Sequence, residues 1–120
     1  MQDKYGLLNL STTQATWKIW DVVRYYLEAH CSDGLFSSVT FTSRDIFDFA
    51  FSDADNAENI GSWNKVTRRL SKYAEEDLLH IVGAEVIGDT KGFRSRAYRL
   101  NPTFEKNVMK LNYGQALRRA

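Results

Sequence analysis

One cysteine, one proline and two histidines in 120 residues exclude several kinds of protein. Cys31 has no second cysteine to pair with, so the chain is not a disulfide scaffold and suits a reducing compartment. His30 and Cys31 are adjacent and lack a nearby third ligand, so they do not make a metal centre or an activated nucleophile. His80 falls in a predicted strand and reads as packed or exposed. Gly88 and Gly92 lack the pattern of a phosphate-binding loop. Spacing supports no Ser-His-Asp arrangement, so neither an enzyme nor a cofactor is expected. No apolar run is long enough to span a bilayer, so no membrane partner is expected. Met1-Gln2-Asp3-Lys4 leads into a short Leu-Leu-Asn-Leu patch and not an apolar signal region, which predicts a cytoplasmic protein. An excess of either charge is missing too. Sixteen Lys and Arg against fifteen Asp and Glu leave a net charge of +1, so composition alone does not point to nucleic acid.

What is present suits a folded globule. The chain is 43% hydrophobic and 13% aromatic, and its length fits one domain with its own core. The neutral total hides segregation. Ser43 to Asn59 carries Asp45, Asp48, Asp53, Asp55 and Glu58 against Arg44. Ser62 to Tyr73 is purely basic, Glu75-Glu76-Asp77 is acidic, and Lys91, Arg94, Arg96 and Arg99 cluster around a glycine-flanked turn. Two basic segments that merge on one face would create a local positive field, whereas either alone is an ordinary solvated surface.

Periodicity predicts the order of elements. Thr13 to about His30 reads as a long helix whose apolar face carries Trp17, Ile19, Trp20, Val22, Val23, Tyr26 and Leu27. Ser11, Thr12 or Thr13 can cap it, and Cys31 to Gly34 ends it. Val39 to Thr42 is a short strand candidate. Ser43 looks like the N-cap of a second helix, Arg44 to about Phe51, with Ile46, Phe47 and Ala50 inward. Asp45 and Asp48 share a face of that helix and read as solvated carboxylates. Ser52 to Gly61 reads as a loop. A third helix runs from between Asn59 and Ser62 to about Glu76. Leu78 to Ile87 and Phe93 to Leu100 then form a hairpin around the turn Gly88 to Gly92. Pro102 opens a last helix, about 103–117, with Phe104, Val108 and Leu111 at helical spacing and a possible break at Gly114.

The third helix carries the functional signal. Trp63, Val66, Leu70 and Tyr73 recur at core spacing, and Trp63 reads as a core anchor and not as a base-stacking residue. Asn64, Lys65, Arg68, Arg69 and Lys72 fill the other side without an acidic residue among them. A helix anchored on one face and cationic on the other meets the needs of a major-groove reader.

The order helix, short strand, helix, helix, hairpin, helix resembles the winged helix-turn-helix family. The resemblance covers about Thr13 to Pro102. It is carried by Thr42-Ser43-Arg44-Asp45-Ile46, by Trp63 to Leu79 leading into the hairpin, and by Ala97-Tyr98-Arg99-Leu100-Asn101-Pro102 closing it. It implies an α+β fold with a three-helix core at about 13–102, a β-hairpin wing and a C-terminal helix. It also implies double-stranded DNA as partner and a role in transcription regulation. The third helix of that family lies in the major groove and the wing touches backbone or minor groove. Carried onto this chain, Ser62, Asn64, Lys65 and Arg68 face bases, with Thr67 borderline. Arg69 and Lys72 meet phosphates, as do Lys91, Arg94 and Arg96 in the wing. Two-fold symmetry of operators implies a homodimer, expected through the first and last helices. The chain departs from the pattern in the loop Ser52 to Gly61, which exceeds a tight turn and carries Asp53, Asp55 and Glu58. Those carboxylates favour an alternative, a winged-helix protein-interaction module without nucleic acid.

Overall fold

The computed structural model describes residues 2–52, 60–86 and 94–120. Its elements are β1 (Gln2–Asp3), α1 (Thr12–His30), α2 (Ser43–Ala50), β2 (Phe51–Ser52), α3 (Ile60–Glu75), β3 (Leu79–Val86), β4 (Arg94–Leu100) and α4 (Tyr113–Arg119). The architecture is α+β, with helices packed around an antiparallel β3–β4 hairpin. The acidic residues Asp53, Asp55 and Glu58 of the upstream loop, and the turn residue Lys91, lie outside the described residues.

Helix α1 starts where the chain offers a reciprocal cap. The Ser11 amide donates to Gln14 Oε1 at 3.0 Å, and the Gln14 amide donates to Ser11 Oγ at 3.2 Å. Two of the orphan donors of a first turn are thereby satisfied. The helix buries Ala15, Ile19, Trp20, Val22, Val23 and Leu27 completely, since their spacing puts them on one stripe. Trp17 does not share that stripe and stays 44% exposed.

Helix α2 is capped by Thr42 and not by Ser43, which is the first helical residue. Asp45 closes the box by accepting from the Thr42 amide at 2.8 Å. Asp48 accepts from Arg44 Nε at 3.1 Å. The two carboxylates read as solvated are therefore a cap and a surface ion pair. The strand candidate Val39 to Thr42 shrinks to a single bridge. Phe41 and Tyr98 exchange backbone hydrogen bonds of 3.0 and 2.8 Å, and their rings stack at 6.1 Å. That bridge fastens the α1–α2 connection to the hairpin. An additional pairing appears where periodicity gave no signal: β1 lies antiparallel to β2, with Gln2 opposite Ser52 and Asp3 opposite Phe51.

Helix α3 seats Val66, Leu70 and Tyr73 in the core, and Trp63 packs edge-on against Phe47 at 5.7 Å. It ends in a Schellman motif. The Leu78 amide donates to the Tyr73 carbonyl at 2.9 Å and the Asp77 amide to the Ala74 carbonyl at 3.2 Å. Asp77 takes φ 62° there, a position that glycine usually fills. This tight exit delivers Leu78 and Leu79 straight into the core and starts the hairpin. A bulge between Ile81 and Gly83 bends β3.

The C-terminal segment differs from a helix at about 103–117. Pro102–Phe104 and Val108–Lys110 form separate single 3-10 turns, and α4 begins only at Tyr113, capped by Asn112 and Gln115. The carbonyls that a helix would need have other partners. Arg24 donates to the carbonyls of Val108 and Met109 at 3.4 and 3.2 Å, and Trp20 Nε1 donates to that of Leu111 at 3.0 Å. The Asn112 side chain caps α4 by accepting from the Gln115 amide at 2.9 Å. Phe104, Val108 and Leu111 are all buried, but they reach the core from irregular chain. Gly114 lies inside α4 and does not break it. A Cβ there would stand 2.8 Å from the Trp17 ring.

Candidate nucleic-acid interface

The basic residues of α3 divide into two sets. Lys65 and Arg69 turn back toward the body. Lys65 Nζ donates to the Leu7 carbonyl at 3.2 Å, which ties α3 to the N-terminal segment. Arg69 Nη1 donates to Thr16 Oγ1 at 2.8 Å, which ties α3 to α1. The Tyr73 hydroxyl donates to the Thr16 carbonyl beside it. Burial pushes the Tyr73 hydroxyl well above the ordinary tyrosine pKa, with Tyr113 adding and Arg69 opposing. Asn64, Arg68 and Lys72 turn outward and are exposed. Their i, i+4, i+8 spacing lines them up along one ridge, roughly 12 Å from end to end. The major groove is about 12 Å wide, so such a ridge is on its scale.

The other expected contacts differ in placement. Thr67 is half-buried, and its hydroxyl donates to the Trp63 carbonyl at 3.0 Å. Ser62 lies in the first turns of α3 and Arg94 opens β4. Arg96 is exposed on β4 and joins Ser71, Glu75 and His80 around an open groove of about 360 Å³ between α3 and the hairpin. The structure thus brings Arg96 to the α3 side. It separates Lys65 and Arg69 from the Asn64–Arg68–Lys72 ridge, because a step of one residue turns a helix by about 100°.

Two charged features of the interface escaped sequence reasoning. Glu75 sits at the end of the same ridge and lines the groove with Arg96, so the face is not uniformly cationic. Glu76, by contrast, turns inward and accepts from the Tyr113 hydroxyl at 2.8 and 2.6 Å. Arg44 lies over the rings of Phe47 and Trp63, 6.0 Å from each, and places a cation beside α3. The i, i+3 spacing of Arg44 and Phe47 was the available signal for that contact.

Among the described residues, no cluster of three or more His, Cys, Asp or Glu side chains could hold a metal ion. No helix among them is long and apolar enough to cross a membrane. His30 stacks on Tyr26 at 4.0 Å, with Nδ1 3.0 Å from the Tyr26 carbonyl, and Cys31 ends α1 as a free, partly buried thiol. No protein-family model matches the chain, and neither a curated protein nor a solved structure does.

Proposed function

We propose that this protein binds double-stranded DNA sequence-specifically, as a transcriptional regulator of the winged helix-turn-helix kind. Helix α3 enters the major groove and the β3–β4 hairpin lies on the backbone or in the minor groove. The observation that carries this reading is the outward ridge Asn64–Arg68–Lys72, flanked by Arg96 on the hairpin. Asn64 and Arg68 have the donor and acceptor patterns that read adenine and guanine edges, and Lys72 and Arg96 suit phosphates. Selection from a random duplex pool, followed by affinity measurements across a salt series, tests it. The expected log–log slope is about −0.9 for each phosphate neutralised. Salt-insensitive binding, or no enriched sequence, would refute it.

A second reading is a protein-interaction module. It is favoured by Glu75 in the groove and by the adjacent exposed side chains Ile81 and Val82 on β3. It predicts that Arg68→Glu leaves function intact while Ile81→Asp abolishes it.

A further inference from the structure

The β3–β4 hairpin has one sealed edge and one open edge. On the β4 side, Tyr98 commits both of its backbone groups to Phe41, at 3.0 and 2.8 Å. Opposite residues of an antiparallel ladder alternate between pairs that bond each other and pairs whose groups point apart. Ile81 lies opposite Tyr98, so its own amide and carbonyl point to the outer edge of β3. Leu79, two residues earlier and opposite Leu100, repeats that orientation. The bond from the Asn101 amide to the Leu78 carbonyl, at 3.1 Å, fits the same phase. Among the described residues, no group meets the outward amides and carbonyls of Leu79 and Ile81. Lysine, proline or a covering segment commonly blunts a strand edge. Residues 79–82 hold neither lysine nor proline, and Ile81 and Val82 are 50% and 45% exposed. The open groove of about 360 Å³ runs beside this edge, with Ser71, Ala74 and Glu75 as its α3 wall. Its two ends differ in charge. Glu75 and Asp77 lie at the Leu79 end, whereas Arg96, opposite Ala84, lies toward the turn of the hairpin. None of these three forms an ion pair among the described residues.

We propose that the outer edge of β3 takes up an extended segment of a partner protein as an added strand, antiparallel to β3. A row of outward amides and carbonyls is matched by another strand and not by an apolar surface, so the edge selects a peptide backbone. The central residue of the segment sits opposite Ile81 and exchanges both backbone bonds with it. A residue directly opposite places its side chain on the same face, so this residue is apolar and enters the groove beside Ile81 and Ala74. Charge sets the flanks. Two residues before the apolar one, an acidic side chain meets Arg96; two residues after it, a basic side chain meets Glu75 and Asp77. The bulge after Ile81 ends the regular edge, which keeps the site short. The proposal deepens the protein-interaction reading, on which it rests for the use of Ile81, and it neither needs nor excludes DNA on the α3 ridge.

Selection of displayed random peptides of about ten residues on the full chain tests it. The expected consensus is acidic-x-apolar-x-basic. In the best peptide, N-methylation of the apolar residue should weaken binding at least about tenfold, and N-methylation of the next residue less than about threefold. In amide hydrogen exchange, Leu79 and Ile81 should exchange faster than His80 in the free chain and slow at least about tenfold with peptide bound. Ile81→Asp, shown to be folded by its thermal melt, should bind the peptide at least about tenfold more weakly. No enriched peptide, or a peptide indifferent to N-methylation at every position, would overturn the proposal. A peptide that needs Ile81 yet leaves the exchange of Leu79 and Ile81 unchanged would overturn strand addition and keep the interaction reading. Strand addition by a chain that also binds DNA with a steep salt dependence would uphold the site and end the reading without nucleic acid.

Discussion

Arg68 and Arg69 are neighbours in sequence, and the structure predicts opposite consequences for removing them. Arg68 stands on the outward ridge of α3 and is exposed. Under the DNA-binding proposal, its truncation to alanine removes a groove contact and little else. The cost should be about 1–3 kcal/mol of DNA-binding free energy, roughly a 5- to 150-fold weaker complex on a selected site. Stability should stay within about 0.5 kcal/mol, as for most surface changes. Arg69 is the reverse case. Its Nη1 holds Thr16 at 2.8 Å, and its charge lies near Tyr73 and Tyr113. A hydrogen bond from a charged donor contributes about 1.5–3 kcal/mol. Part of that is offset, because Arg69 Nε is buried with no hydrogen-bond partner and its removal relieves a desolvation cost. The net loss for Arg69→Ala is therefore about 1–2 kcal/mol, or a Tm lower by roughly 4–8 °C. Well below that Tm, DNA affinity should change by less than about twofold. Thermal denaturation and a titration with selected duplex, run on both variants, separate the two roles. An Arg69→Ala protein of unchanged Tm whose DNA affinity falls as far as that of Arg68→Ala would refute the division of the basic face.

Three further outcomes follow from the packing. Asp77→Gly should stabilise the protein by about 0.5–1 kcal/mol in chemical denaturation, because φ 62° at the end of α3 strains any residue with a Cβ. Burial pulls the Glu105 carboxyl up, but hydrogen bonds from the Ser37 hydroxyl, the Ser37 amide and the Phe36 amide outweigh it and hold its pKa below the ordinary glutamate value. A depressed folded-state value means stability that is present above the unfolded pKa and lost as pH falls, so Glu105→Gln should flatten the acid limb of a stability–pH curve below about pH 4.3. Burial, and then the Glu76 carboxylate, raise the Tyr113 pKa. A raised value means stability that is complete below the unfolded pKa and lost above it, so the protein should lose stability above about pH 10, and less steeply in Tyr113→Phe.

The helices that bury a clean stripe were legible in the sequence. Trp63, Val66, Leu70 and Tyr73 predict α3 because core spacing holds over several turns. The α3–hairpin junction was nearly as clear, since the strand read from Leu78 to Ile87 is found at Leu79–Val86. The last segment was not. Phe104, Val108 and Leu111 satisfy a helical period, yet Arg24 and Trp20 on α1 claim the carbonyls that a helix would have used. Those competitors stand more than eighty residues away in sequence, so no local pattern could announce them. The β1–β2 pairing was hidden for a similar reason, because two residues on each side carry no periodicity.

The sequence by itself determined a basic, aromatic-anchored third helix ahead of a hairpin that carries Arg94, Arg96 and Arg99. Those properties rest on residue types and on spacing within one element. Only the tertiary structure decided which cations are free. Lys65 and Arg69 look equivalent to Arg68 and Lys72 along the chain, but their reach toward Leu7 and Thr16 depends on where α1 and the N-terminal segment pack. The tertiary structure also decided that Trp17 and Tyr25 stay outside the core. A helical period shows that two faces exist, and the contacts made by other elements choose which one is buried.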